Sequence, residues 1–225
     1  MGGGALKIGV TIFPGSNCDR DALYAVERMG AQPVELWHAD ADLKGVDAVI
    51  LPGGFSYGDY LRPGAIARFA RVMAPLEEFA RSGGPILGVC NGFQILTEAH
   101  LLPGALLRNT HMRFVCKRVR VRVETTNTPW TSSCEPGGEL TLPVAHNEGN
   151  YFADPATLEQ IGAEERVVLR YLENPNGSAN DIAGICNESR NVVGIMPHPE
   201  RVSDPVLGSD EGLRILRSVL VEAKV

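Results

Sequence analysis

Cysteine is scarce and carries no pairing pattern: there are five, an odd number, and no two stand in a Cys-x-x-Cys spacing. That excludes a disulfide framework and sets the expectation of reduced thiols in a cytoplasmic protein. No group of His and Cys has zinc spacing, so no metal is expected. Positive charge is not in excess. With 21 Lys and Arg against 27 Asp and Glu the net charge is -6, which argues against a nucleic-acid surface. No apolar run is long enough to cross a bilayer without Gly, Pro or a charge interrupting it. Neither a basic n-region with an apolar h-region nor a myristoylation signal is expected at the start, where Leu6 stands in place of Ser or Thr. Internal repeats and low-complexity tracts are missing too. Asn176-Gly177-Ser178 and Asn187-Glu188-Ser189 match the glycosylation pattern, but in a cytosolic chain both read as chance. What remains is ordinary for a globular protein: 225 residues, 44% hydrophobic and 21% charged, enough for one domain spanning 1–225 with a full core.

The chain is organised around Pro85 to His100. Pro85-Ile86-Leu87-Gly88-Val89 is a short apolar run bounded by Gly83-Gly84, the pattern of a buried strand. From Phe93 the period changes to that of a helix, with Ile95, Leu96 and Ala99 on one side and Pro103-Gly104 as a stop. Cys90 sits at the junction between Gly88 and Gly92. Small neighbours let the chain turn sharply there and lift the side chain clear, as in a nucleophile elbow. A helix N-terminus also favours the thiolate. Alone, Cys90 would read as one more small buried hydrophobe; the strand, turn and helix around it reverse that reading.

Strands are expected at Lys7 to Phe13, Pro33 to Trp37 and Val46 to Leu51, and a helix from Asp19 to Met29. A long helix is expected from Ala65 to Arg81, kinked near Pro75. Strands alternating with helices, and rich in Val, Ile and Leu, predict an α/β fold with a mostly parallel, flavodoxin-like open sheet and helices on both faces. Functional residues then gather beyond the carboxyl ends of the strands. After Leu107 the pattern changes to a small antiparallel excursion. Phe114 to Glu124 alternates Val with Lys117, Arg118, Arg120 and Arg122, as a half-exposed strand does. Its basic face reads as solvated, with a partner or phosphate contact as the alternative. Further strands are expected at Leu140 to Ala145, Val167 to Tyr171, Ile182 to Cys186 and Asn191 to Met196, then a closing helix from Glu211 to Ala223.

A nucleophilic Cys needs a base, and the base an orienting group. Of the five histidines, His198 follows the apolar strand ending at Ile195, and Glu200 stands two residues on. Alternating prolines should hold Met196 to Glu200 extended, with both side chains to one side. A carboxylate there fixes the imidazole tautomer and stabilises the imidazolium. Oxyanion donors are expected from the amide of Asn91, directly after the nucleophile, and from Pro52-Gly53-Gly54-Phe55. No Gly-Lys-Ser/Thr follows that loop, so it is not a P-loop. Cys18 is a rival nucleophile between a strand and a helix, disfavoured by Asp19 and Asp21 and by the absence of an elbow.

Gly88-Val89-Cys90-Asn91-Gly92-Phe93-Gln94 with the later His198-Pro199-Glu200 resembles the class I, triad-type glutamine amidotransferases. Phe13 to Asp19, Leu51 to Tyr60 and Met196 to Arg201 resemble the glutaminase subunits of phosphoribosylformylglycinamidine synthase, a family in purine biosynthesis. The resemblance runs from Lys7 to the end. It implies hydrolysis of glutamine to glutamate and ammonia through a Cys90 thioester. His198 would be base then acid, Glu200 its orienter, and the Gly54 and Asn91 amides the oxyanion hole. Substrate contacts are implied for Gly53, Phe55 and Gln94, and for His146, Asn147 and Glu148 at the α-amino and carboxylate end. The family usually has Gly where this chain has Asn147. Ammonia would pass to a separate synthetase subunit that activates formylglycinamide ribonucleotide, with a small third subunit bridging them. No cofactor is implied in this chain, ATP and magnesium belonging to the synthetase. Another cysteine hydrolase of this fold, such as a peptidase or glyoxalase-like protein, and a non-catalytic binding module are the competing readings.

Overall fold

The computed structural model describes residues 5–222. In chain order they form β1 (Lys7–Ile12), α1 (Asp19–Met29), β2 (Gln32–Trp37), β3 (Ala48–Leu51), α2 (Met73–Arg81), β4 (Ile86–Val89) and α3 (Asn91–Glu98). The second half adds β5 (Ala105–Leu107), β6 (Val115–Val123), β7 (Glu139–His146), β8 (Asn150–Phe152), α4 (Pro155–Ala163), β9 (Val167–Tyr171), β10 (Ile182–Cys186), β11 (Val192–Ile195), α5 (Gly212–Leu216) and α6 (Val219–Glu222).

One sheet runs in the order β2-β1-β3-β4-β11-β10-β9-β6-β7. Its first five strands are parallel. Every residue of β3, β4 and β11 is buried, as uninterrupted apolar runs require when both faces of a sheet are covered. The strand order reverses direction at β1. Right-handed crossovers therefore set α1 and α2 on opposite faces. On α1 the buried residues are Ala22, Ala25, Val26 and Met29, one helical stripe, and the left-handed Gly30 ends it.

From β11 onward the pairings are antiparallel, through β10, β9, β6 and β7. The antiparallel excursion is thus an extension of the main sheet, and only β5 and β8 form a separate pair. In β6, Val115, Val119, Val121 and Val123 are buried while Lys117, Arg118, Arg120 and Arg122 face solvent, the alternation of a strand covered on one face.

Four local expectations are corrected. Residues 65–81 are not one helix kinked at Pro75. A short 3-10 turn at Ala67–Phe69 stops at the extended Ala70, and α2 begins afresh at Met73. Pro75 then lies in the first turn, where its missing N–H costs nothing. The closing helix divides into α5 and α6 near Ser218, whose hydroxyl turns back onto the Arg214 carbonyl; Ala223 lies outside the described residues. Helix α3 starts at Asn91 rather than Phe93 and ends before His100, which has φ 57. Helix α4 was not anticipated, although Asp154-Pro155 is a start signal: the Asp154 carboxylate accepts the Ala156 and Thr157 amides, and Pro155 opens the helix.

Candidate functional site

Strands β3, β4 and β11 are neighbours, with Leu51 opposite Gly88 and Ile195 opposite Val89. Their carboxyl ends therefore deliver Gly53-Gly54, Cys90 and the segment after Ile195 to one place. Cys90 has φ 50 and ψ -104, a strained conformation for a residue with a Cβ. The two flanking glycines explain how the turn fits. A Cβ on Gly92 would lie 2.0 Å from the Leu51 carbonyl oxygen, and one on Gly88 2.5 Å from the Leu96 side chain. The Cys90 amide donates to the Ile195 carbonyl at 2.8 Å, which pins the elbow to β11. Its thiol points at the Ala145 carbonyl, 3.7 Å away.

His198 and Glu200 meet as expected, Nδ1 to Oε1 at 2.6 Å, with both side chains buried. The backbone route is different from the one anticipated. Pro199–Val202 is a 3-10 turn, so the prolines do not hold the segment extended; Pro199 instead starts a helical turn that curls Glu200 back onto the ring. The His198 amide donates to the Pro143 carbonyl at 2.8 Å. Burial works against a proton on this imidazole, but the charges of Glu200 and then Cys90 outweigh it and raise its pKa well above the ordinary value. Nε2 is buried with no partner, leaving it free for a proton from Cys90.

Gly54 has φ 144, and a Cβ there would lie 2.7 Å from the Asn17 amide nitrogen. It faces Ser16 across a single bridge. Among the described residues no acceptor engages the Gly54 amide. The Asn91 amide opens α3, where first-turn N–H groups have no intrahelical acceptor. The Asn91 side chain braces the loop, accepting the Ser56 amide at 3.1 Å and donating to Gln94 Oε1 at 2.9 Å. A cavity of about 80 Å³ is lined by Gly54, Phe55, Phe114, Ala145, His198 and Arg201, among others. Phe55 is half exposed at its rim.

The 145–149 segment reaches the site through Glu148, whose carbonyl accepts Gln94 Nε2 at 2.6 Å. Asn147 donates to Glu148 Oε1 at 2.8 Å, and Glu148 faces Arg108 at 3.6 Å. His146 does not open toward the cavity. Asn109 Oδ1 lies 3.1 Å from its Nδ1 and Asn176 Nδ2 3.5 Å from its Nε2. Burial, then the charge of His198, pushes its pKa down to about 4. It is thus a buried, neutral histidine held between Asn109 and Asn176.

Sequence reasoning passed over several residues here. Arg201 Nη2 lies 2.9 Å from Cys18 Sγ, and Asn109 holds the 146–149 turn through the Gly149 amide. Asp59, at φ 54, has a buried Oδ1 with no partner, and burial followed by the charge of Glu148 raises its pKa to about 6. Tertiary folding, not sequence spacing, brings Arg201 to Cys18, Asn109 to Gly149 and Asp59 within the field of Glu148. Cys18 is fully buried at the start of α1, without an elbow to present it.

Such strand ends, with a thiol on a turn and a buried imidazole–carboxylate pair one strand away, have the architecture of the triad-type amidotransferase class. Residues 5–211 match the CobB/CobQ-like glutamine amidotransferase domain, and the chain belongs to that family. Among curated relatives, the phosphoribosylformylglycinamidine synthase subunit PurQ of Rubrobacter xylanophilus is 80% identical over 220 residues, covering 98% of this chain and 100% of that one. The subunit of the same name from Trichormus variabilis is 56% identical over 217 residues, 96% of this chain and 97% of its own length. A solved structure of PurLQS from Thermotoga maritima contains a chain 43% identical, with a TM-score of 0.90, covering 97% of this chain and 99% of that one.

Proposed function

We propose that this chain is the glutaminase subunit of phosphoribosylformylglycinamidine synthase, hydrolysing L-glutamine and passing the ammonia to a synthetase subunit in purine biosynthesis. A synthetase and a small bridging subunit are its partners, and residues 1–225 act as one amidotransferase domain. The observation that carries the reading is the buried 2.6 Å His198–Glu200 pair beside Cys90 on its strained elbow. Among the described residues no helix is long and apolar enough to cross a membrane.

In this reading His198 takes the Cys90 proton on Nε2 while Glu200 holds Nδ1–H and offsets the imidazolium charge. The thiolate attacks the side-chain carbonyl of glutamine. The amides of Gly54 and Asn91 stabilise the resulting oxyanion. His198 returns the proton to the leaving nitrogen, ammonia departs, and a thioester to Cys90 remains. Water, deprotonated by His198, then attacks the thioester carbonyl and releases glutamate with the thiol restored. Gln94, held by Asn91 and Glu148, lies where Gly53, Phe55, Asn147 and Glu148 contact the rest of the substrate. The alternative hydrolases of this fold lack a reason to pair a C-terminal His-Pro-Glu with the elbow.

A glutamine-like electrophile such as diazo-oxo-norleucine tests the assignment. One adduct is expected, and peptide mapping should place it on Cys90. An adduct on Cys18 would overturn the choice of nucleophile.

A further inference from the structure

Cys18, a thiol that the proposed hydrolysis does not use, stands beside the His198–Glu200 pair and completes a set of three donors. Cys18 Sγ, His198 and Glu200 each offer a ligand atom, and these atoms all lie within 4.8 Å of one another, all three residues being buried. Sulfur, imidazole nitrogen and carboxylate oxygen are the donor types zinc takes. With bonds of about 2.0–2.3 Å, tetrahedral donors stand roughly 3.3–3.6 Å apart. The set therefore needs side-chain adjustments of about an ångström and no backbone movement.

Two further observations point to a ligand. Glu200 Oε2 is buried with no partner, although a buried carboxylate oxygen ordinarily has one. The groups converge closely on Gly53: a Cβ on it would lie 2.6 Å from His198 Cε1, 3.3 Å from Nδ1 and 3.2 Å from Cys18 Sγ, so no side chain at that position can stand between them. Cys18 and His198 both line the cavity of about 80 Å³. The surrounding charges are Arg201, Asp21 and Glu200. Arg201 opposes a cation, but its Nη2 is 2.9 Å from Cys18 Sγ, the place from which a guanidinium N–H donates to a metal-bound thiolate in the way outer partners do. Asp21, 3.9 Å from Arg201, offsets its charge.

We propose that Cys18, His198 and Glu200 form an inhibitory site for zinc or a similar thiophilic divalent cation. The metal replaces the Cys18 thiol proton, which passes to solvent, and binds His198 Nδ1, whose proton moves to Nε2 so that the ring stays neutral. With Nδ1 on the cation and the ring proton on Nε2, His198 has no nitrogen left to accept a proton, so Cys90 keeps its own. This consequence rests on the reading of His198 as the base; the binding itself does not.

The test uses cobalt(II) as a spectroscopic stand-in and zinc itself in competition with a chromophoric chelator, on the whole chain. Thiolate-to-cobalt absorption is expected in the wild type, in Cys90→Ala and in Cys116→Ser. It should vanish in Cys18→Ser, with at least a tenfold weaker zinc affinity; Cys18→Ala gives the same reading if the serine variant folds poorly. In the assembled synthase, zinc should suppress glutamine-dependent synthesis, leave ammonium-dependent synthesis intact, and act at least tenfold less well on the Cys18→Ser enzyme. A cobalt band that persists without Cys18, or that is lost with Cys90, overturns the site. Equal zinc inhibition of the glutamine- and ammonium-dependent reactions overturns the inhibitory role, while a lost diazo-oxo-norleucine adduct with an intact cobalt band would fault the glutaminase reading alone.

Discussion

In the proposed mechanism the imidazole–carboxylate pair divides two tasks between two side chains. His198→Asn removes the proton acceptor and should lower glutaminase turnover by about 10²–10⁴-fold, the usual contribution of general acid–base catalysis. Glu200→Gln keeps the acceptor and loses the charge that favours the imidazolium once it forms, so steady-state rates should fall less. Equal rates for wild type and His198→Asn would place the base elsewhere. His146 carries a different prediction, about stability. Its folded pKa of about 4 lies below the ordinary value of 6.5. Between those values the unfolded chain binds the proton and the folded chain does not, so stability is full above 6.5 and falls as the pH drops toward 4. Two and a half pH units correspond to at most about 3 kcal/mol. Denaturant melts of His146→Gln should lose this part of the acid dependence; an unchanged slope between pH 6.5 and 4 would show that the ring is not held neutral. The placement of Cys90 on a strand–helix turn and of His198 against Glu200 was legible from residue type and neighbours. The confinement of His146 was not, because Asn109 and Asn176 reach it from distant parts of the chain.

At the scale of the element, the elbow is a packing problem solved by glycine. Helix α3 approaches β3 so closely that a Cβ on Gly92 would lie 2.0 Å from a backbone oxygen, which a side-chain rotation cannot relieve. Gly92→Ala should therefore cost about 1–3 kcal/mol or more, lowering the melting temperature by roughly 2–4 °C per kcal/mol, and should displace Cys90 enough to impair turnover. A variant with unchanged melting and activity would mean that the elbow tolerates a wider turn. The parallel strands and α1 could be read from local pattern, since a fully buried strand is an uninterrupted apolar run and α1 has a stripe and a glycine stop. The run from Ala65 to Arg81 could not. Its periodicity suits a helix throughout, and the break at Ala70 comes with an amide from Val72 to the His38 carbonyl at 3.1 Å, a contact supplied by another part of the fold.

On the scale of the whole molecule, the glutaminase is one half of a reaction whose acceptor chemistry lies in the synthetase. Cys90→Ala should abolish glutamine-dependent synthesis in the assembled complex while added ammonium still supports it. The isolated wild-type chain should turn over glutamine at least roughly tenfold more slowly than the complex with ATP and formylglycinamide ribonucleotide, about 1.4 kcal/mol in barrier. Equal rates would rule out the coupling; loss of ammonium-dependent synthesis would rule out the division of labour. The sequence by itself determined the alternating α/β plan, the elbow around Cys90 and the pairing of His198 with Glu200, because each is written in residues a few positions apart, although the turn that joins His198 to Glu200 was not. Tertiary structure alone decided that the antiparallel strands extend the main sheet. It also decided that Cys18 and Arg201 stand beside His198, and that Glu148 reaches Gln94. Those placements depend on strand order and on which distant carbonyls remain free to accept, and such long-range pairings leave no periodic mark on the chain.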